Sequence, residues 1–155
     1  MSEKKSIILF VCTGNTCRSP MAEVLAKSIL ANAGLAANVF SAGVSTGNGY
    51  PASDNAVLAV QSEKCDLSSH MSSQVSREML ADASLILTMT GTHLQFVKSM
   101  YPQANAFTLC EYAGKKGDVS DPFGGDLQVY TNCATQIKQL IQLSLPRLKE
   151  ELWKA

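Results

Sequence analysis

Two side chains near the start of the chain, Cys12 and Arg18, have the types and the spacing for phosphoryl chemistry. Five residues separate them in the segment CTGNTCR. A loop of that length can curl until its backbone N–H groups surround a phosphate-like dianion, and the planar guanidinium of Arg18 can grip two of the oxygens. The same positive field stabilises a thiolate, since cysteines in such surroundings have pKa values lowered to about 3.5 to 7.5. We therefore expect Cys12 to be a nucleophile at neutral pH.

The flanking residues predict a strand before this loop and a helix after it. The apolar run from Ile7 to Val11 is typical of a buried strand. Ser19 suits the N-cap of a helix and Pro20 its first position, and the helix should then continue to Ala33 before the breaker Gly34. The positive N-terminus of that helix would add to the attraction for an anion.

The loop between the strand and the helix supplies the candidate phosphate-binding residues. They are Thr13, Gly14, Asn15, Thr16, Cys17 and Arg18. Gly14 and Asn15 are suited to the unusual backbone angles that a tight curl requires. A cysteine and an arginine at this spacing also occur by chance, as a buried strand-end thiol and a solvated helix-start residue. Their position between a buried strand and a capped helix favours the functional interpretation.

Cys17 is open to two interpretations. A loop curled around a phosphate could bring its thiol near Cys12, and the pair could then form a reversible disulfide under oxidation. Alternatively, Cys17 is only a small residue of the loop wall. The chain has five cysteines without the paired spacing of a zinc site or the density of a secreted scaffold, so Cys65, Cys110 and Cys133 are expected to be packing residues.

A second candidate region is the segment YAGKKGDVSDPFGG, from Tyr112 to Gly125. Its glycines and aspartates predict a long, partly mobile loop near the site. When a phosphoryl group moves onto Cys12, the departing atom needs a proton, and Asp121 is the candidate acid. A turn aspartate before proline is the common alternative, and Asp118 is a competitor just upstream. Phe123 would form an apolar wall for the group that carries the phosphate.

These motifs together resemble those of a known family. The segment VCTGNTCRSPMAE is similar to the signature loop of the low-molecular-weight protein tyrosine phosphatases, and DPFGG, from Asp121 to Gly125, is similar to their second motif. The segment SAG, from Ser41 to Gly43, and the segment SSHMSS around His70 also fall where the family has related segments. The resemblance covers essentially the whole chain.

The resemblance implies a mechanism and a set of roles. The mechanism is cysteine-dependent phosphatase chemistry through a phosphocysteine intermediate, with no metal ion and no cofactor. The catalytic residues that it implies are Cys12, Arg18 and Asp121. Four further residues match family positions that hydrogen-bond one another and hold the phosphate loop open: Asn15, Ser19, Ser41 and His70. On its own pattern, His70 is a loop histidine that would be structural or solvated.

Thr16, in the middle of the phosphate loop, bears on the choice of substrate. Tyrosine-directed members of the family commonly carry isoleucine or another bulky apolar residue there, whereas CTGNTCRSP together with DPFGG most resembles the protein-arginine phosphatase branch. A buried polar contact left unmatched costs about 1 to 3 kcal/mol, so one hydroxyl beside a guanidinium leaving group is a plausible selector. Thr16 and Phe123 are therefore the candidate selectivity residues. Phosphoarginine is the preferred substrate, and phosphotyrosine is the alternative.

Two other classes of protein are weaker alternatives. A thiol-dependent arsenate reductase of the same fold needs further cysteines to resolve an arsenylated intermediate, and the chain from Met71 to Leu109 has none. A catalytically inactive phosphopeptide-binding module would lack Cys12 or Asp121, and both are present. Thirteen basic and thirteen acidic side chains give no overall field for nucleic acid or an anionic membrane. The expected partners are phosphorylated proteins, and the chain is expected to be a monomer.

The whole chain, residues 1–155, predicts one α/β domain. We expect a doubly wound sheet, mainly of four parallel strands, with helices on both faces and the phosphate-binding loop after strand 1. The later elements are predicted as a strand at Ala37–Ser41, helices after Ser53 and at Ser76–Ala81, a strand at Ser84–Thr90, a helix at Thr92–Met100, a weak strand at Ala106–Leu109 and a long helix at Asp126–Trp153. Leu58 and Leu127 are among the apolar residues expected to pack inward.

Met1 to Ser6 is a short polar leader with no signal peptide or membrane span after it, which predicts a cytoplasmic protein.

Overall fold

The computed structural model describes residues 6–153, so residues 1–5 of the predicted polar leader lie outside the described part of the chain. The strands are β1 (Ser6–Cys12), β2 (Ala37–Gly43), β3 (Leu85–Thr88) and β4 (Ala106–Thr108). The helices are α1 (Arg18–Asn32), α2 (Asp54–Gln61), α3 (Arg77–Asp82), α4 (Gly91–Met100), α5 (Leu109–Tyr112) and α6 (Leu127–Leu152). None of these helices is both long enough and apolar enough to span a membrane.

The four strands form one parallel sheet in the order β2-β1-β3-β4. The central strand β1 therefore has a neighbour on each side, and its last residue, Cys12, lies opposite Gly43 of β2. In such sheets ligands bind at the carboxyl ends of the strands, beside the point where the strand order reverses. The predicted α/β class, the parallel sheet and the position of Cys12 at its carboxyl edge are all confirmed.

Alternate residues of β1 face opposite sides of the sheet, as the pleat requires. Ile8, Phe10 and Cys12 belong to a buried cluster that also contains residues of α1, α2 and α6. Leu9 and Val11 belong to a second cluster that contains residues of α3 and α4. Both faces of β1 are thus covered by helices, which explains why its sequence is a continuous apolar run.

The start of α1 differs from the prediction. The N-cap is Cys17, which makes no side-chain capping bond, and the helix begins at Arg18. Ser19, predicted to be the N-cap, lies inside the first turn, and its hydroxyl is hydrogen-bonded to Asn15 and to the Cys12 thiol instead. Hydrogen bonds with loop residues therefore outweigh the preference of serine for the N-cap position.

Three smaller predictions were also wrong. Leu58 of α2 is 47% exposed, because α2 packs mainly against α1 and α6 rather than flat against the sheet. Leu127 is 43% exposed, since it is the first residue of α6 and precedes the part of that helix that reaches the core. Leu109 does not end β4 but begins the one-turn helix α5, which Thr108 caps by accepting the backbone N–H of Glu111 at 3.0 Å.

Candidate active site

The loop after β1 is held in a tight curl by its neighbours. Asn15 has a φ of 55°, a left-handed conformation that asparagine tolerates better than most residues. The carbonyl of Thr13 accepts the N–H of Ser45 at 3.0 Å, and the carbonyl of Thr16 accepts the N–H of Ser53 at 2.9 Å. At Gly43 a Cβ atom would lie only 2.6 Å from the Thr13 carbonyl oxygen, so the close approach of β2 to the loop requires glycine.

A cavity of about 250 Å³ opens at the centre of this curl. It is lined by Cys12, Thr13, Gly14, Thr16, Cys17, Arg18, Asp121 and Phe123. The structure thereby brings the two predicted motifs, CTGNTCR and DPFGG, into one cavity. Asn15 is the exception among the predicted loop residues, because its side chain is fully buried behind the loop rather than in the cavity wall.

The thiol of Cys12 is buried at the floor of the cavity, and Ser19 Oγ lies 2.8 Å from its Sγ atom. Burial raises the pKa of the Cys12 thiol, against the lowering effects of the Ser19 hydroxyl, the backbone N–H groups of Ser19 and Asn15, and the Arg18 charge. The net direction in this structure is upward, opposite to the lowered pKa that the spacing predicts. The reason is that the sequence pattern reveals the stabilising groups but not the depth at which the thiol is buried.

Asn15 is the centre of a buried hydrogen-bond network with a definite direction. Its Nδ2 atom donates to Ser19 Oγ at 2.9 Å and to Ser41 Oγ at 3.0 Å. Ser41 in turn donates to Glu23 Oε1 at 2.7 Å. The Oδ1 atom of Asn15 accepts the backbone N–H of Ser73 at 2.9 Å, which fixes the orientation of the amide. The network therefore extends from a carboxylate at one end to the Ser19 hydroxyl beside the nucleophile at the other.

His70 lies on the other side of the same loop residue. Its Nε2 atom is 2.7 Å from the carbonyl oxygen of Asn15, which can only accept, so the ring donates. His70, Ser41, Ser19 and Asn15 are thus all within one group of contacts that braces the loop. Glu23 also belongs to it, because its carboxylate accepts the hydroxyl proton of Ser41.

Arg18 connects the phosphate loop to the DPFGG segment. Its side chain is almost fully buried, and Nη1 donates to the carbonyl of Val119 at 2.9 Å. Nη2 lies 3.7 Å from Asp121 Oδ2. Val119 is itself fixed, because its N–H donates to the Met89 carbonyl at 2.9 Å. The loop predicted to be mobile is therefore anchored at Val119, directly before the residues that line the cavity.

The two candidate aspartates have different surroundings. Asp121 is exposed at the cavity mouth, and its Oδ1 accepts the backbone N–H of Phe123 at 3.1 Å. Asp118 instead accepts the backbone N–H of Gly91, the first residue of α4, at 3.0 Å. Phe123 is 78% exposed and forms one edge of the cavity. Asp121 is therefore the aspartate that can reach a bound substrate.

The Cys17 thiol lies 3.4 Å from Ser53 Oγ and 3.4 Å from the Tyr130 hydroxyl. Tyr130 and His93, which contacts Thr13, are site residues that the sequence interpretation missed. Both lie in helices far along the chain, and no local motif marks them. All five cysteines are free thiols, and Cys65, Cys110 and Cys133 are buried, as expected of packing residues.

Comparison with known proteins identifies the family. The chain matches the low molecular weight phosphotyrosine protein phosphatase family over residues 7–154. It is 43% identical over 147 residues to the protein-arginine-phosphatase of Bacillus subtilis (strain 168), with 93% of this chain and 97% of that protein covered. It is 41% identical over 135 residues to the low molecular weight protein-tyrosine-phosphatase PtpB of Staphylococcus epidermidis, with 86% and 93% covered.

Among solved structures, a mutant of the YwlE arginine phosphatase with a phosphorylated active-site serine is 41% identical and superposes with a TM-score of 0.89. The match covers 94% of this chain and 97% of that one. The chain therefore belongs to the low molecular weight phosphotyrosine protein phosphatase family. It is a cysteine-based phosphatase, and its relatives include proteins named for phosphoarginine and proteins named for phosphotyrosine.

Proposed function

We propose that this phosphatase acts on phosphoarginine in proteins, without a metal ion or cofactor. The observation that carries the proposal is the position of Thr16, which lines the same cavity as Cys12 and Asp121. Within the described residues, its hydroxyl has one hydrogen-bond partner, the weakly polar Cys17 Sγ at 3.8 Å. The hydroxyl is therefore available to a substrate.

A guanidinium group and an aromatic ring require different surfaces in the part of the cavity formed by Thr16. The guanidinium brings several N–H donors that lose water when the substrate enters, and each needs an acceptor. Thr16 Oγ1 and the Asp121 carboxyl group can supply acceptors. An isoleucine in place of Thr16 would supply none, but it would offer more apolar surface to a ring.

In the first chemical step, the Cys12 thiol releases its proton to water, and the resulting thiolate, stabilised by the Ser19 hydroxyl and the Arg18 charge, attacks phosphorus in line with the departing nitrogen. The S–P bond forms as the P–N bond breaks, and the electron pair of that bond stays on nitrogen. Asp121 protonates the nitrogen, while Arg18 and the loop N–H groups stabilise the charge on the phosphoryl oxygens. The phosphorylated serine in the YwlE mutant is an oxygen counterpart of the phosphocysteine that we propose.

In the second step, water attacks the phosphorus of the phosphocysteine. The Asp121 carboxylate accepts a proton from the water, the S–P bond breaks, and the electron pair returns to Cys12 as a thiolate. Phosphate then leaves the loop. A Cys12→Ser variant that kept full turnover would contradict this mechanism, as would a loss of activity on addition of a chelator.

The substrate assignment can be tested with two peptides of one sequence, one phosphorylated on arginine and the other on tyrosine. We expect the wild type to hydrolyse the phosphoarginine peptide faster and a Thr16→Ile variant to lose that preference. Assays contain EDTA and dithiothreitol. Thr92→Ile, a substitution at an exposed position of α4, is the matched control and should leave the preference unchanged.

The specific alternative is phosphotyrosine, and Phe123 is the observation in its favour. An aromatic side chain that is 78% exposed at the cavity edge could stack on the ring of a tyrosine substrate. A wild type that prefers the phosphotyrosine peptide would support this alternative. Thr16 would then be a neutral loop residue.

A further inference from the structure

His93 is a buried histidine that contacts the catalytic loop from outside it. It lies in the first turn of α4, and its Nε2 atom is 2.8 Å from the hydroxyl oxygen of Thr13. Thr13 directly follows the nucleophile and is one of the residues that line the catalytic cavity. The ring of His93 therefore contacts a wall of the cavity through one hydroxyl group.

The direction of this hydrogen bond depends on which ring nitrogen carries the proton, and the contact on the other side of the ring favours one of the two tautomers. Thr90 caps α4, and its hydroxyl oxygen accepts the backbone N–H of His93 at 3.2 Å. The hydroxyl proton of Thr90 then has an acceptor in Nδ1 of the His93 ring, 3.0 Å away. A neutral imidazole has one accepting and one donating nitrogen. If Nδ1 accepts, Nε2 carries the proton and donates to Thr13.

In that tautomer the Thr13 hydroxyl oxygen accepts a hydrogen bond from His93 Nε2, and the hydroxyl proton is free to donate into the cavity. We propose that His93 is a positioning residue for phosphoryl transfer, which fixes the Thr13 hydroxyl as a hydrogen-bond donor to an oxygen of the bound phosphoryl group. This donor would add a side chain to the cradle of backbone N–H groups and Arg18. The proposal rests on the phosphatase reaction but not on the choice between arginine and tyrosine.

The charges around His93 support this arrangement. Burial and the nearby Arg18 charge lower the pKa of His93 to about 4, although Asp118 and Asp121 act in the opposite direction. At neutral pH the ring is therefore uncharged, which leaves one of its nitrogens able to accept a hydrogen bond, as the proposed contact with the Thr90 hydroxyl requires. A neutral ring can orient Thr13 without adding a cation that would compete with Arg18 for the substrate.

The test measures kcat and KM for p-nitrophenyl phosphate and the inhibition constant of inorganic phosphate. We expect Thr13→Val and His93→Leu each to weaken phosphate inhibition and to lower kcat/KM by about tenfold to a hundredfold, the range for one hydrogen bond to a charged group. The double variant should be no worse than Thr13→Val alone. His93→Gln should recover part of the loss, because its amide can donate to Thr13. Thr92→Val, on the same turn, is the control.

Independent effects in the double variant would overturn the proposal, as would a His93→Gln enzyme as impaired as His93→Leu. If His93→Leu does not fold, as judged by thermal unfolding, Thr13→Ser and Thr13→Val decide instead. Retention of phosphate binding by the serine variant and loss by the valine variant would support the proposal, and equal binding by both would reject it. Neither substrate peptide is used, so a failure of the phosphoarginine assignment would leave this result intact.

Discussion

The hydroxyl oxygen of Ser19 lies 2.8 Å from the thiol sulfur of Cys12, and it also accepts an N–H of Asn15 at 2.9 Å. The Ser19 hydroxyl proton has two acceptors in reach, the Cys12 sulfur at 2.8 Å and the Ala42 carbonyl oxygen at 3.5 Å, and the shorter distance favours the sulfur. A donor at this position favours the thiolate over the thiol. The Ser19 hydroxyl therefore lowers the pKa of Cys12 and opposes the effect of burial, which raises it.

We expect Ser19→Ala to raise the pKa of Cys12 further and to slow catalysis at neutral pH. The reason is that the substitution removes a donor to the thiolate while burial of the sulfur stays the same. The measurement is the rate of alkylation of Cys12 by iodoacetamide as a function of pH, followed by peptide mass spectrometry. Ser62→Ala, at an exposed site after α2, is the control. An unchanged alkylation profile in Ser19→Ala would show that this bond does not tune the thiol.

Asp121→Ala and Asp118→Ala should have separable effects. Loss of the general acid at Asp121 should lower kcat by about 10² to 10⁴ on a substrate with a poor leaving group, and by less on p-nitrophenyl phosphate. Loss of the Asp118 contact with Gly91 should mainly lower the free energy of unfolding, by about 1 kcal/mol, since it leaves a helix-start N–H unpaired. Steady-state kinetics and urea unfolding distinguish the two. A large loss of kcat in Asp118→Ala alone would show that Asp118, and not Asp121, is the general acid.

Asn15→Ala should destabilise the protein for two separate reasons. It removes the amide bonds to Ser19, Ser41 and Ser73, and it places alanine at a φ of 55°. Asn15→Gly removes the same bonds but relieves the backbone, so it should be more stable than Asn15→Ala by about 1 kcal/mol. Urea unfolding measures the difference. Equal stability of the two variants would mean that the backbone conformation carries no strain.

The stability of the protein should fall in mildly acidic solution because of His93. Its pKa is lowered from 6.5 to about 4 in the folded state, so between these values the unfolded chain binds a proton that the folded protein does not. The contribution of His93 to the free energy of unfolding is fully present above pH 6.5 and is lost as the pH falls toward about 4. Acidification from about pH 7.5 to about pH 5 should therefore lower the free energy of unfolding by about 2 kcal/mol.

Urea unfolding at the two pH values measures this change, with His93→Gln as the comparison. The variant has no imidazole at this position and should lose correspondingly less stability on acidification. The same decrease in wild type and variant would show that other groups cause the acid sensitivity.

The parts of the site that could be predicted from the sequence are those encoded locally. A buried strand, a loop with Cys12 and Arg18, and a helix follow one another within a short segment, and their order alone defines the phosphate cradle. Asp121 and His70 needed the family resemblance, because an aspartate before proline and a histidine among serines are common in ordinary loops. The alternation of strands and helices was enough to predict the parallel sheet.

The remaining site residues could not be predicted, for reasons that are physical. These residues lie in helices, and their side chains reach their partners only after the chain has folded: His93 and Tyr130 contact the phosphate loop, and Glu23 contacts Ser41 of β2. Their hydrogen-bond partners are distant in sequence, so no periodicity marks them. The depth of Cys12 is likewise a property of the assembled core, and for that reason the burial that raises the pKa of its thiol could not be predicted from the spacing of Cys12 and Arg18.

The Val119 carbonyl that holds Arg18 is separated from it by 101 residues, and the Tyr130 hydroxyl beside Cys17 by 113 residues. A polypeptide leaving the ribosome therefore contains its nucleophile long before it contains the groups that fix the cradle. Contacts between such distant segments form late in folding, because the entropy of closing a long loop must first be offset. The nascent chain should consequently be inactive until almost all of it has been synthesised, and the onset of hydrolysis during translation would mark completion of the fold.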